Sequence, residues 1–241
     1  IANPAGINIK GGGFINANKA IFTTGKAQLN ADGSLKQFVV DQGKVMVTAN
    51  TGSTLGLGGN NNNADYVDIY ARALDLNAQL HANQDINVIT GVNTVSADLE
   101  SIESKTSPVA APALAVDIKS LGGMYANNIY LMGNEKGLGF TNAGTLQAVN
   151  NIVVTNTGKI VHSGTISTTD KKKGLVSVAS TETGAAADIA ISGSVNSYGL
   201  INIDSGNNLN LNAKDITLNY DATTLNSAAL IIGAQGNLNL A

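Results

Sequence analysis

A chain of 241 residues with 43% hydrophobic, 13% charged and 4% aromatic residues has enough apolar matter for a core and too little charge for the disordered class. A net charge of −3 leaves no basic footprint for nucleic acid, and the absence of cysteine excludes a disulfide framework and thiolate metal sites. No apolar run approaches the roughly 18 residues that a membrane-spanning helix needs, so no integral membrane segment is expected. The lack of cysteine is compatible with export, since nothing can mispair in an oxidising compartment. Because it opens on Ile1 rather than Met, the chain is expected to be a processed or truncated piece.

In chain order, Asn3-Pro4 followed by Gly6 is turn chemistry. "FVVDQGKVMVTA", Phe38 to Ala49, reads as a hairpin with Val39, Val40, Val45 and Val47 in strands around Gln42-Gly43. "GLGGNNNNAD", Gly56 to Asp65, reads as a flexible loop. It lacks the Lys-Ser/Thr and the following helix of a phosphate-binding loop. Val67 and Ile69, Leu74 and Leu76, and Ile86 and Val88 follow as inward-facing pairs separated by polar corners. Ala97 to Ala115 holds two of the three prolines, which do not fit a strand ladder; it is expected to project from the body.

From Asn128 the same phrase recurs without a break, as "NIYLMG", "GLGFTNAG", "NIVVTNTG" and "KIVHSG". It is clearest in "GNNLNLNAKDITLN", Gly206 to Asn219, where Leu209, Leu211, Ile216 and Leu218 alternate with polar residues. The period of two marks β with one face buried. Runs of about five residues are single strands, and a unit so short buries its apolar face only by stacking on copies of itself. Gly144 and Gly164 stand one solenoid turn apart on this reading. The Asn residues, as in Asn127-Asn128, Asn207-Asn208 and Asn237, suit side-chain ladders that bond from rung to rung. No amphipathic helical stretch of useful length interrupts the series, which excludes a βαβ arrangement.

The search for chemistry is mostly negative. His81 and His162 are the two histidines; each reads as a surface or corner residue, and no metal ligation or cofactor is expected. Lys171-Lys172-Lys173 beside Asp170 reads as a solvated loop tip. Asp65, Asp68, Asp75 and the sole arginine, Arg72, form the densest charged cluster. Asp68 and Arg72 share strand parity and are expected to pair on the outer face, contributing roughly 0–1 kcal/mol. A polysaccharide-active β-helix enzyme would need several such groups converging on one groove, and a carbohydrate-binding β-helix would need aromatic platforms. Both remain alternatives to a non-enzymatic role.

"NPAGINIKGGGFINANKAIFTTGK", Asn3 to Lys26, together with "VDIYARALDLNAQLHA", "VITGVNTV" and "SLGGMYANNIYLMGNEKGLGFTNAGTL", resembles the second Asn-Pro motif and the following body of the two-partner secretion domain. Large bacterial exoproteins of the haemagglutinin-adhesin and contact-dependent-inhibition types share that domain. In the family the motif reads Asn-Pro-Asn-Gly-Ile, so Asn3, Pro4, Gly6 and Ile7 match it and Ala5 departs. Ile9 and Gly12 stand where many relatives place a cysteine pair. The family's capping segment and earlier Asn-Pro motif lie upstream of this match, so the chain is expected to begin inside the domain.

The resemblance implies a right-handed parallel β-helix with extra-helical hairpin and loop excursions. It implies the C-terminal part of a secretion domain over residues 1–146, and haemagglutinin-type repeats, continuous with it, over residues 147–241. The implied partner is a TpsB-type outer-membrane transporter with POTRA domains, and the implied setting is the bacterial cell surface or medium, with a host or neighbouring-cell receptor a further partner. With roughly 20–24 residues per turn, about ten rungs at about 4.8 Å make a rod of about 50 Å.

Overall fold

The computed structural model describes residues 1–224 and 227–241, and among them the one helical element is the short 3-10 turn Ala185–Ala187. Everything else is strand or connection, arranged as a three-sided parallel β-helix. The first face is a sheet of nine parallel strands, from Ile7–Lys10 and Lys44–Thr48 through Ala73–Asn77, Leu114–Ile118 and Gly139–Asn142 to Leu238–Leu240. The other two faces are served together by the long strands Gln79–Thr90, Gly123–Gly133 and Thr145–Asn156. A register slip between Ala126 and Asn128 marks the corner between them. In later rungs that corner opens, and each face has its own strand, as in Thr165–Thr168 and Leu175–Ser180.

Alternation decides what lies inside. On the second face Leu80, Met124, Leu146, Ile166 and Val195 stack in one inward column, and on the third Ile86, Ile129, Ile152, Val176 and Ile201 do the same. All are essentially fully buried in a single core, each contributing about 1.5–3 kcal/mol by leaving water. The pairs Val67/Ile69, Leu74/Leu76 and Ile86/Val88 all point into it. Asn side chains ladder between rungs as the repeats suggest: Asn151 donates to Asn128 at 2.9 Å, Asn128 to Asp85 at 2.7 Å and Asn239 to Asn210 at 2.7 Å.

Nine strands on the first face make nine rungs rather than ten, because the turns are longer than expected. Phe140 stacks on Ile160 after 20 residues, but Ile160 reaches Ile189 only after 29. Two early turns are longer still: Val45 lies 38 residues beyond its partner Ile7, and Val116 lies 42 beyond Leu74. Those two carry the excursions. At about 4.8 Å per rung, nine rungs give a rod of roughly 40 Å.

Phe38 to Ala49 is not a hairpin. Leu35–Val40 pairs antiparallel with Lys26–Leu29 and Asn93–Ser96, whereas Lys44–Thr48 belongs to the first face, parallel to Ile7–Lys10. Gly43 separates two sheets, so its turn joins strands that never pair. Gly56 to Asp65 is likewise more ordered than a free loop: Leu55–Leu57 pairs with Gln79–Leu80, and Ala64 already belongs to a strand. Within Ala97 to Ala115, Ile102–Ser104 pairs with Asn93–Ser96 and Leu114 begins a first-face strand, so only the segment between them projects.

Ile102–Ser104, Asn93–Ser96, Leu35–Val40 and Lys26–Leu29 form, in that order, an antiparallel sheet of four strands. It lies as a lid over the outer side of the third face. Phe38, Val40 and Val95 from the lid meet Tyr70 and Ile89 from the helix in a second core, with Phe38 and Tyr70 ring centroids 5.9 Å apart.

Candidate functional site

The Asn-Pro turn is the first corner of the rod. Asn3 N–H donates to Thr23 O on the third face at 2.9 Å, and four residues later Ile7 pairs with Val45 on the first. The turn between them is closed from within: Ala5 N–H donates to Asn3 Oδ1 at 3.1 Å and Gly6 N–H to Asn3 O at 3.0 Å. Pro4, which has no N–H to satisfy, offers its carbonyl to Gln42 Nε2 at 3.4 Å. Gly6 adopts φ 125°, and a Cβ there would sit 3.1 Å from Lys44 O. That backbone favours glycine. Ala5 occupies the exposed apex, so its departure from the motif leaves the turn intact. The structure thus brings Asn3, Pro4, Gly6 and Ile7 together as one surface corner whose apolar end, Ile7, packs on the core.

Asp68 and Arg72 do not pair with each other. Asp68 is fully buried beneath the lid, where it binds Lys19 at 2.7 Å, accepts from Tyr70 Oη at 2.6 Å and accepts from Asn87 Nδ2 at 2.8 Å. Arg72, 4% exposed, stands past a strand end and turns the other way. Its guanidinium forks onto Glu135 at 2.8 and 3.1 Å and donates to Val109 O and Ala110 O. Parity along an ideal strand suggested one exposed pair; the corner after Ala71 rotates Arg72 out of that column. The two groups therefore serve different tasks, one fixing Tyr70 and Asn87 on the third face and the other tethering the projecting segment.

His162 is not at the surface either. It is buried, its Nε2 3.1 Å from Ser194 O and its Nδ1 3.2 Å from Asn142 Nδ2. A carbonyl only accepts, so Nε2 carries the proton and Nδ1 accepts from Asn142. Burial pushes its pKa below the ordinary histidine value. His81 stacks on Tyr125 one rung away with centroids 4.7 Å apart, and burial lowers its pKa too.

An open polar cleft of about 530 Å³ lies beside the Asn61-Asn62-Asn63 loop. Within it Asn18 and Asn83 both donate to Asp65, the one carboxylate that lines it. Among the described residues no group of three or more histidine, aspartate or glutamate side chains could hold a metal ion. Among the same residues no helix is long and apolar enough to cross a membrane.

Residue-by-residue reading missed the lid and the ground beyond it. A signal was present: in Asn128–Gly133 the run Ile129, Tyr130, Leu131, Met132 is apolar at every position, which is the pattern of a strand covered on both sides. Ile129 and Leu131 face the core, while Tyr130 and Met132 face outward.

Comparison with known proteins supplies the context. The profile of the TPS secretion domain family matches residues 1–168, running past the boundary anticipated at Leu146. "Toxin CdiA" of Yersinia pestis is 43% identical over 169 residues, which is 69% of this chain and 5% of that protein. "tRNA nuclease CdiA-2" of Burkholderia pseudomallei is 38% identical over 165 residues, 68% of this chain and 5% of that protein. The chain thus spans about a twentieth of the length of the curated relatives it matches. The crystal structure of the filamentous hemagglutinin secretion domain superposes with a TM-score of 0.58 at 22% identity, covering 99% of this chain and 65% of that one. At that identity the likeness speaks to the fold, a parallel β-helix.

Proposed function

The chain belongs to the TPS secretion domain family, and from that premise we propose that it acts without catalysis of its own, as the part of a large exoprotein that a TpsB-type outer-membrane transporter recognises and exports. The family match across a β-helix whose first corner is the Asn3–Ile7 turn carries this reading. The transporter's periplasmic POTRA domains read the region of Asn3, Pro4, Gly6 and Ile7. The chain then emerges outside the cell and folds rung on rung.

Two features of the molecule support that sequence of events. Each rung buries its apolar side chains against the rung before it, so folding at the exit releases free energy at about 25 cal/mol per Å² as the chain appears. The columns of the secretion domain also pass into the tail without a seam, since Leu146 stacks on Ile166 and Ile166 on Val195. Residues 147–241 accordingly serve as haemagglutinin-type repeats that extend the rod. The displayed product is the stalk of an adhesin or of a contact-dependent inhibition effector, addressed to a host or neighbouring-cell surface. A single carboxylate in the open polar cleft beside Asn61-Asn62-Asn63 falls short of the pair that glycoside hydrolysis uses, which favours the non-enzymatic role.

The test is secretion of the parent exoprotein. With the transporter present, Gly6→Val and Asn3→Ala in the parent should each cut the amount in the medium severalfold and leave the protein in the periplasm. Wild-type yield from Gly6→Val, or yield independent of the transporter, would sink the proposal.

A further inference from the structure

Tyr130 and Met132 stand on the outer side of the third face, 38% and 37% exposed, directly past the lid. Their columns are covered in the preceding rungs: Tyr130 continues Asp68 and Asn87, and Met132 continues Tyr70 and Ile89. Tyr70 and Ile89 lie buried beneath Phe38 and Val95 of the lid. The lid stops short, and an apolar groove of about 230 Å³ follows. Leu99 and Ile102 wall it on the lid side; Ile89, Tyr130, Met132 and Val153 form its floor.

The backbone makes a second, independent point. The last lid strand, Ile102–Ser104, pairs with Asn93–Ser96 alone. Lys105 N–H donates to Val92 O at 2.8 Å and Ser96 N–H to Ser101 O at 2.9 Å. Residues 101, 103 and 105 therefore turn their peptide groups toward the lid. By antiparallel alternation, the N–H and C=O of Ile102 and Ser104 point outward, toward the groove side. Such edge groups take water or another strand as partner.

The geometry points to this groove as the seat of a fifth lid strand, an extended segment of a partner chain running antiparallel to Ile102–Ser104. Its alternate apolar side chains would settle on Tyr130, Met132 and Val153. A strand is required because it alone satisfies both halves of the site, a free peptide edge and a floor with period two. The packing is also continuous with what the lid already does over Ile21, Tyr70 and Ile89. Asp98, Glu100 and Glu103 flank the edge against Lys105, so the occupant's outward positions should carry lysine or arginine. The inference does not depend on how the chain is exported.

A short capped peptide alternating valine and lysine is the probe, titrated into the isotope-labelled chain and followed by NMR. Saturable shifts are expected at the amides of Ile102 to Ser104 and at the Met132 methyl. Ser104→Pro removes an outward N–H without breaking a ladder bond, and Tyr130→Lys places charge on the floor. Each should weaken binding by about tenfold or more, roughly 1.4 kcal/mol, with unchanged thermal unfolding. The same peptide N-methylated at alternate amides should fail on the wild-type chain, which keeps the test valid if a variant folds poorly. Absence of saturable binding at millimolar peptide, binding indifferent to N-methylation, or shifts confined to another surface would overturn the inference. So would concentration-dependent self-association that Ser104→Pro abolishes, because a second copy would then be the occupant.

Discussion

Tyr70 donates its phenolic hydrogen to Asp68 across 2.6 Å, from two places along the same strand. Both side chains rise from the outer surface of the helix into the underside of the lid, where water is excluded. Removing the carboxylate would strand the Tyr70 hydroxyl and the Asn87 amide and leave Lys19 without its partner. Asp68→Ala should therefore cost about 3 kcal/mol, toward the low end for a broken buried pair because Lys19 is partly exposed. Urea unfolding of the variant checks this, and Asp68→Asn, which keeps an acceptor for Tyr70, should cost less.

The same contact governs the behaviour of Tyr70 in alkali. Burial first, then the hydrogen bond to Asp68 and its negative charge, push the phenol far above the ordinary tyrosine value. A group whose folded pKa is raised contributes stability that is whole below its unfolded pKa of about 10 and is lost as pH climbs toward the folded value. Ultraviolet titration of the folded chain should show the Tyr70 phenol withheld until the protein unfolds, and this late step should be missing in Tyr70→Phe.

His162 gives the acid side. Asn142 Oδ1 is engaged by Gly144 N–H at 3.0 Å, so the amide cannot turn to accept a second imidazole proton. Burial lowers the folded pKa, and the unfolded chain therefore binds the proton more readily. Stability should be complete above the unfolded value of about 6.5 and decline as pH falls below it. A melting temperature that drops between about pH 7 and pH 5, and a flatter profile in His162→Gln, are the expected observations.

Gly122, Gly144, Gly164 and Gly193 stack in one column at the corner between the first and second faces. A Cβ on Gly164 would collide with the Gly144 carbonyl oxygen, and one on Gly193 with that of Gly164. That backbone is bonded between rungs, with Thr165 N–H donating to Gly144 O at 2.9 Å, and has no room to yield. Gly164→Val should cost about 3 kcal/mol or more, measured by thermal or urea unfolding.

Arg72 ties the segment before Leu114 to the corner loop holding Glu135. Arg72→Lys keeps the charge but loses the fork and the geometry that reaches Val109 O and Ala110 O. Limited proteolysis should then cut between Ser107 and Ala113 several times faster than in the wild type. An unchanged cleavage rate would deny Arg72 this tethering role.

What could be read from residues alone follows from the range of the interactions. Leu209 and Leu211 stack on Ile189 and Ile191 and carry Leu238 and Leu240 above them; such columns repeat a local alternation, and period two reveals them. The Asn-Pro corner is likewise local, since Asn3 closes it on Ala5 and Gly6. The lid is not local. Val95 meets Phe38 across 57 residues, and Val40 and Val45 looked like hairpin partners because nothing nearby says that they enter different sheets. Arg72 and Glu135 are 63 residues apart, so no spacing rule could join them. Asp68 looked exposed because the strand pattern carries no trace of a cover that arrives from elsewhere in the chain.

The turn lengths have a consequence for how such a molecule can change size. Thr145 and Thr165 occupy the same station on successive rungs, as do Phe140 and Ile160. Cutting out residues 145–164 would bring Ile166 to the station of Leu146 and Ile189 to that of Ile160, leaving every column in phase. A cut of one residue inside a strand would instead throw the rest of that strand's side chains onto the wrong side. Insertions and losses are therefore tolerated as entire coils or as bulges pushed out at a corner, and the distance between the two tips is adjustable only in steps of one coil.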